Sequence, residues 1–491
     1  MPPMTGPATP PASLIQPVGA PAPAAMRARA RPSLGPKRVQ VVGAGLGGLA
    51  VAIAFARSGA EVEVVERAAR LGDVGAGIQL SPNAVKALRW IGVDPEAANP
   101  FRPEAVELRL HASGRTVYRA PLGAAAQARW DAPYLQVHRA DLHAVLTETA
   151  RAAGVHLRLG VDATGYEVSD DRLRARLMLR ALPDLGPDPG PDLGPDRGPK
   201  PGDPGDPASQ DASGFVERRR APRPMSLHPL RDAAAPLREP EPGPVVDLII
   251  AADGARSVLR EQMIGAAGGE VFSGNVAFRG LVPASALPEG LLRPVASVWM
   301  GPQRHFVHYF VRGGTLVNFI AVCEREKWTP ESWSAPGDID ALRAEFADWH
   351  PSVRAILAAT EKTFEWGLFG HAPLSRWSEG PVVLMGDAAH PTAPFLAQGA
   401  AMAFEDAATL ARTLPIYGVP YGLMAYRKLR EGRTARLQAA AARTGRRFHQ
   451  ASPLARGAQA AALTALQLAA PSVAAGLNDW IYEHDAGAAP V

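Results

Sequence analysis

Residues 39–67 read VQVVGAGLGGLAVAIAFARSGAEVEVVER, and no other stretch constrains the fold as strongly. Gly43, Gly45 and Gly48 fall in G-x-G-x-x-G order at the point where an apolar strand must turn into a helix. The first glycine permits the tight turn, the second lets the backbone approach a pyrophosphate, and the third lets the helix lie close on the sheet. Free N–H groups at the helix start, beginning around Ala44, suit two charged oxygens. A second strand, EVEVVE, ends on Glu66, just before Arg67. An acid about 20 residues past the glycines is placed to accept the ribose hydroxyls of an adenosine. Strand, glycines, helix, strand and acid in this order predict a dinucleotide-binding βαβ unit.

The chain of 491 residues is too long for one core, so two or three domains are expected. Its 47% hydrophobic and 20% charged residues are ordinary for a globular protein. The small excess of Lys plus Arg (52) over Asp plus Glu (48) gathers near the N-terminus and forms no nucleic-acid-binding stripe. Cys323 is the one cysteine, which rules out an internal disulfide and suits a cytoplasmic setting. It reads as a buried strand residue. Residues 1–36, rich in Pro and Ala, lack the pattern of a secretory signal and read as a disordered extension. The uncharged run 457–477 is long enough to span a membrane, but it is mostly alanine and is broken by Pro471. A pair of soluble helices fits it better.

Beyond Glu66 a glycine-rich loop passes through Gly75 and Gly77, and Ser81 with Pro82 opens a helix. Residues 107–120 read as a hairpin turning at Ser113 and Gly114, and 137–154 as a helix capped by Asp141. Residues 182–244 change abruptly to Pro, Gly and Asp and read as a disordered loop insertion. An apolar strand then runs into Asp253-Gly254, several strand-like pieces lie between Val271 and Cys323, and another strand ends in Gly386-Asp387. The fold class is therefore α/β. A Rossmann-like nucleotide domain (37–105, 138–181, 245–265, 378–413) is interleaved with an antiparallel-sheet substrate domain (106–137, 266–377), and helices follow (414–491).

Three stretches taken together resemble the single-component FAD-dependent aromatic hydroxylases: the glycine turn ending on Glu66, the Asp253-Gly254 pair and GDAAHP at 386–391. Echoes such as GAGIQLSPNAVKAL, HRADL, AFRG, NFIAV, AQGAAMAFEDA and DWIYEHDA bring it nearest the salicylate hydroxylase-like subgroup. The resemblance implies non-covalent FAD, NAD(P)H as co-substrate, and transfer of oxygen from a flavin C4a-hydroperoxide to a small aromatic acid or phenol. It places Asp387 on the ribityl chain and Arg139 on FAD. It also puts Gly77 in the flavin-facing loop, gives Asp253 to FAD and nicotinamide, and sets Pro391 and Pro394 along the flavin. The turn through Gly399, Ala400 and Met402 would present N–H groups to the flavin pyrimidine edge, where charge accumulates on reduction.

For the substrate, the same resemblance points to Arg279 and Tyr309. Arginine holds a carboxylate bidentately, and a tyrosine hydroxyl bonds a phenol oxygen. His305 and His308 fall on opposite faces of a regular strand, so one of them is a candidate for the pocket. Phe278 and Phe310 depart from the family's usual Tyr and Pro, which leaves the ring open: an N-heteroaromatic or a larger natural product remains an alternative. So does an NAD(P)H-oxidising flavoprotein that hydroxylates nothing. No metal set, nucleic acid or membrane partner is expected, and the chain reads as a monomer or homodimer.

Overall fold

The computed structural model of the chain describes residues 35–72, 76–183, 238–265, 271–327 and 335–491. The N-terminal extension as far as residue 34, Gly75 and the run 184–237 lie outside the described residues.

Strand Arg38–Val42 is buried from its second residue onward, as a central strand covered on both faces must be. It lies parallel to Glu61–Glu66 on one side and to Leu248–Ala251 on the other. His156–Leu159 and Val382–Leu384 extend the parallel set outward, and Ser378–Glu379 closes one edge antiparallel. Helix Leu46–Arg57 is buried from Leu49 through Phe55, which its alanine-rich, nearly all-apolar sequence allows. Four segments far apart in sequence thus meet in one sheet.

A second, eight-stranded sheet runs in the order 335–337, 363–370, 271–283, 316–324, 304–311, 296–301, 105–110, 116–121. It is antiparallel except where 296–301 pairs with 105–110. Apart from register shifts between Phe272 and Asn275 and between Leu108 and Arg109, its strands alternate. Phe278, Trp299, Phe306, Phe319 and Cys323 face helices Ile339–Glu345 and Pro351–Ala358, packing on Phe346, Trp349 and Ile356. The opposite face carries Ala277, Arg279, Tyr309, Asn318, Ile320, Val322 and Trp366.

Ser81 and Pro82 open helix Pro82–Ile91 as its cap residue and first residue, with the Ser81 hydroxyl donating to Asn83 Oδ1 at 2.7 Å. Two other local expectations are corrected. Asp141 does not cap its helix, which begins at Arg139 after His138; the Asp141 carboxylate instead takes the Arg312 guanidinium at 2.8 and 2.9 Å. The insertion is narrower than 182–244, because Glu241–Pro242 pairs antiparallel with strand Ala175–Ala181. Residues 457–477 fall in helices Pro453–Ala469 and Pro471–Ala475. Among the described residues no single helix is long and apolar enough to cross a membrane.

The helical span Gly399–Phe448 crosses the boundary drawn at 413/414 and is broken at Gly418, whose φ of 73° and ψ of 169° are not helical. Pro415 and Pro420 flank the break. A straight helix would separate Asp406 from Arg430 by about 36 Å, at 1.5 Å per residue. Their side chains are instead 2.7 Å apart, so the span doubles back on itself at Gly418.

Between the two arms lies a buried polar network. Arg430 donates to Asp406 Oδ1 (2.7 Å) and Glu405 Oε2 (2.6 Å), and Arg433 grips both Glu405 oxygens at 2.8 Å. Asn83 Nδ2 reaches Glu405 Oε1 at 2.7 Å and Gln398 Oε1 at 3.0 Å. Asp406 Oδ2 takes the Gly386 N–H at 2.9 Å and His390 Nε2 at 2.6 Å. Burial alone would raise the Glu405 carboxyl, yet Arg430 and Arg433 hold it well below the ordinary carboxylate range. Asp406 is likewise lowered, by His390 and Arg430 against the effect of burial.

Arg430→Ala leaves two buried carboxylates without their main partner and should cost about 3–5 kcal/mol in urea unfolding. Arg427→Ala, which removes an exposed pair with Glu431, should cost less than about 1 kcal/mol. Because the folded carboxyls titrate below their unfolded values, the network's contribution is full above about pH 4.3 and is lost as pH falls. Unfolding curves from pH 7 down to 3 check both the size and the sign.

Candidate active site

The glycine turn is built as its spacing requires. A Cβ on Gly48 would sit 1.9 Å from the Gly43 carbonyl oxygen, so only glycine lets the helix close on the turn. A Cβ on Gly45 would meet nothing within 4 Å. The backbone there faces open space, and helix Leu46–Arg57 has no side-chain cap and no acid in its first turn. Its N-terminal dipole is left for an anion. Glu66 is fixed at the lip by the N–H groups of Ala44 (2.7 Å) and Ala68 (2.9 Å), and Arg67 is exposed beside it.

A second group of polar residues gathers where strands Leu248–Ala251 and Val382–Leu384 end. Asp387 lies in the turn Gly386–Ala388 with its side chain exposed; desolvation by the protein packed around the turn raises its carboxyl, and His390 and Arg139 partly oppose the rise. Asp253 is also raised by burial, and its Oδ1 is buried with no hydrogen-bond partner. Arg260 ties the two loops together, donating to the Ala255 and Ala388 carbonyls. Carboxylates raised in this way call for hydroxyl donors. The ribose and ribityl hydroxyls of a flavin dinucleotide are such donors, so the residues present fit FAD.

The long helix begins beside them: a Cβ on Gly399 would lie 4.0 Å from Asp387 Oδ1, and neither a cap nor an acid occupies that helix start. Gly399 and Ala400 fit the expected N–H donors. Met402 does not, because as the fourth helical residue its N–H closes on the Gln398 carbonyl at 2.9 Å. Its side chain belongs to a core with Trp130, Tyr134 and Tyr482. Pro391 is buried, with its carbonyl held by Gln438 at 2.8 Å, while Pro394 is exposed at the start of the turn Pro394–Leu396.

The open face of the eight-stranded sheet supplies the other wall. Strand register puts Tyr309, Asn318 and Leu281 in one row, Val307, Ile320 and Arg279 in the next, and His305, Val322 and Ala277 in a third. Tyr309 and His305 thus stand about 13 Å apart along their strand, at ~3.3 Å per residue, with Ile320 between the rows. The Arg279 guanidinium lies over the Trp366 ring, 5.0 Å from its centroid. Burial raises the Tyr309 hydroxyl, and a hydrogen bond from Gln79 and the nearby Arg279 charge oppose the rise. Tyr134 in turn donates to Gln79 Oε1 at 2.5 Å. Gly77 leaves Tyr309 its room: an added Cβ would stand 2.6 Å from Cε2 of the ring. Its N–H donates to Asn318 Oδ1 at 2.7 Å.

The two histidines separate as a regular strand demands. His305 shares the face of Tyr309, whereas His308 turns to the helix layer near Trp299 and Phe306, where burial lowers it to about 3. A cleft of about 640 Å³ opens beside this face, walled by Glu324, Pro391, Phe395 and His449. Sequence reasoning missed Gln79, Asn318, Trp366, Arg260 and the Glu405–Asp406–Arg430 network. The adjacent acids in the apolar run AAMAFEDAATL were the available signal.

The FAD binding domain family matches residues 37–182 and 245–417. A 3-amino-4-hydroxybenzoate 2-monooxygenase of Streptomyces cremeus is 36% identical over 84% of this chain and 88% of its own length. A 3-hydroxybenzoate 6-hydroxylase of Polaromonas naphthalenivorans is 32% identical over the same shares, 84% and 88%. The fold is shared with Klebsiella pneumoniae HpxO, solved with FAD and uric acid, at a TM-score of 0.68 and 23% identity over 91% of this chain and 97% of that one. The glycine turn, the Asp253 and Asp387 carboxylates at the strand ends and these similarities lead to one conclusion: the chain belongs to the single-component FAD-dependent aromatic monooxygenases.

Proposed function

We propose that this monooxygenase hydroxylates a single aromatic ring bearing a hydroxyl and a carboxylate, using NAD(P)H and O₂. The observation that carries the reading is the pairing of Arg279 and Tyr309 on one apolar sheet face. A cation stacked on Trp366 and a buried neutral hydroxyl flank Ile320, Val307 and Val322. Such a face binds a flat apolar ring and gives each polar substituent one partner. Relatives named for 3-amino-4-hydroxybenzoate and 3-hydroxybenzoate share that substituent pair.

Gly43, Ala44, Gly45 and Gly48 would hold the pyrophosphate of FAD and Glu66 its ribose. Asp253, Asp387, Arg139, Gly399 and Ala400 would hold the remainder. When bound, FAD supplies the activation of O₂ and delivery of one oxygen atom to the ring. Arg279 orients the carboxylate. Tyr309 receives a hydrogen bond from Gln79, which leaves its own proton for the ring oxygen and stabilises negative charge there as the ring is attacked. Ile320, Val322 and Phe395 keep water from the reacting carbon.

A screen of hydroxybenzoates and hydroxypyridines should find a ring that stimulates NAD(P)H oxidation and gains 16 mass units, roughly one oxygen atom, drawn from O₂. NAD(P)H consumption without any oxygenated product would overturn the reading. Glu66→Ala should weaken FAD binding by about 1.5–3 kcal/mol through loss of charge-assisted hydrogen bonds, read by flavin fluorescence titration. Arg279→Ala should retain FAD yet lose about 2–5 kcal/mol of substrate affinity. Tyr309→Phe should bind the ring but divert reducing equivalents to hydrogen peroxide, measured as product formed per NAD(P)H.

A further inference from the structure

Three primary amides, Gln79, Gln136 and Asn318, gather around Tyr309. Gln79 bonds the Tyr309 hydroxyl. Gln136 stands directly opposite Gln79 in the antiparallel pair of strands Gly77–Leu80 and Leu135–His138, so their side chains share a face. Asn318 is paired in register with Tyr309 on the neighbouring strand of the large sheet. That strand, Leu316–Glu324, runs between the strand of Tyr309 and the strand of Arg279. A ring held by both residues therefore lies across Asn318 and Ile320.

Two of these amides carry bonding capacity that the fold leaves unused. Gln136 and Asn318 are both fully buried. Among the described residues, neither amide atom of Gln136 has a hydrogen-bond partner, and Asn318 Nδ2 has none. The Asn318 amide is fixed in orientation, because its Oδ1 takes the Gly77 N–H at 2.7 Å, which leaves both Nδ2 hydrogens as free donors. Gln79 is already spent, since its oxygen takes the Tyr134 hydroxyl while its other end serves Tyr309. Gln136 keeps one acceptor and two donors in hand. A polar group buried without a partner destabilises the fold unless a ligand completes its bonds.

We propose that Asn318 and Gln136 select a ring whose hydroxyl has a second, neutral hydrogen-bonding substituent on the adjacent carbon, an amino or a hydroxyl group; this rests on the reading of Arg279 and Tyr309 as partners of the ring's carboxylate and hydroxyl. Tyr309 donates to the first oxygen. Asn318 Nδ2 donates to the lone pair of the neighbouring substituent, and Gln136 Oε1 accepts its hydrogen. A carboxylate is unsuited to this end, because no cationic side chain bonds either amide; it goes to Arg279, one row further along the sheet. A methyl or chloro group matches an amino group in size but leaves both amides unpaired. Selection thus comes from the cost of the wrong substituent as well as from the bonds to the right one.

The test uses the full chain loaded with FAD, together with NAD(P)H and O₂, and a set of hydroxybenzoic acids that differ only in the group next to the hydroxyl: amino, hydroxyl, methyl or chloro. Hydroxylated product gives kcat/KM, and perturbation of the flavin spectrum without NAD(P)H gives Kd. The parent should favour the amino or the hydroxyl acid over the methyl and chloro acids by about a hundredfold or more in kcat/KM. Gln136→Met, close in size but without an amide, should shrink that ratio about tenfold or more with FAD content unchanged. Asn318→Ala should shrink it in the same direction. Because Asn318→Ala also releases the Gly77 N–H, Gln136→Met decides the matter where the alanine variant loses FAD. Equal use of the acids by the parent, or an unchanged ratio in both variants, would overturn the proposal. A parent that hydroxylates no hydroxylated ring overturns the functional reading and the selection together. A parent that hydroxylates such rings without regard to the adjacent group overturns the selection alone.

Discussion

Arg430, 1% exposed and bonded to two carboxylates that are wholly buried, is the interaction on which the flavin end of the molecule depends. A guanidinium in such a place is costly to desolvate and is tolerated only when its donors are matched. Here they are matched by Glu405, Asp406 and the Met402 carbonyl at 3.2 Å. Asp406 transmits the arrangement to Gly386 and His390, and so to the turn that carries Asp387. Glu405 transmits it through Asn83 to Gln398, immediately before the helix start that carries Gly399. Two loops of the candidate site are therefore held in register by one cation on the returning arm of a helical hairpin.

The same logic extends to the C-terminus. Arg433, besides gripping Glu405, donates to the carbonyls of Trp480 and Ile481, and Arg412 bonds the carbonyls of Ala486 and Ala489. Lys86 adds a bond to the Glu483 carbonyl at 2.8 Å. Backbone carbonyls at the end of a chain are otherwise left to water. Fixing them with arginines makes the last residues part of the support for the flavin end, which gives a structural role to the DWIYEHDA segment.

What could be read in the sequence was whatever depends on neighbours along the chain. The βαβ unit was legible because its glycines, helix and Glu66 follow one another within the single stretch 39–67. The opposite facing of His305 and His308 followed from strand alternation alone. The pairing of Asp406 with Arg430 was hidden, because a boundary at 413/414 and the Pro415, Gly418 and Pro420 signals mark a break in the helical run but do not say where its second arm packs. Met402 was misplaced for a related reason: residue type says nothing of which N–H is already spent within the helix. Gln79 was invisible as a partner of Tyr309, since the two lie on separate sheets that meet only in the folded chain.

Strand Ala175–Ala181, the middle strand of its small sheet, runs toward the end of the described segment, and Glu241–Pro242 returns antiparallel alongside it as an edge strand. The Gly243 N–H closes the junction on the Leu177 carbonyl at 2.8 Å. Exit and re-entry are thus neighbours already joined by hydrogen bonds, and none of the residues assigned to the flavin or the ring lies on either strand. Closing entropy grows only slowly with the length of what lies between such ends. This junction is consequently a natural splice point, where a reporter domain or an affinity handle could replace the native segment while the two walls of the candidate site keep their alignment.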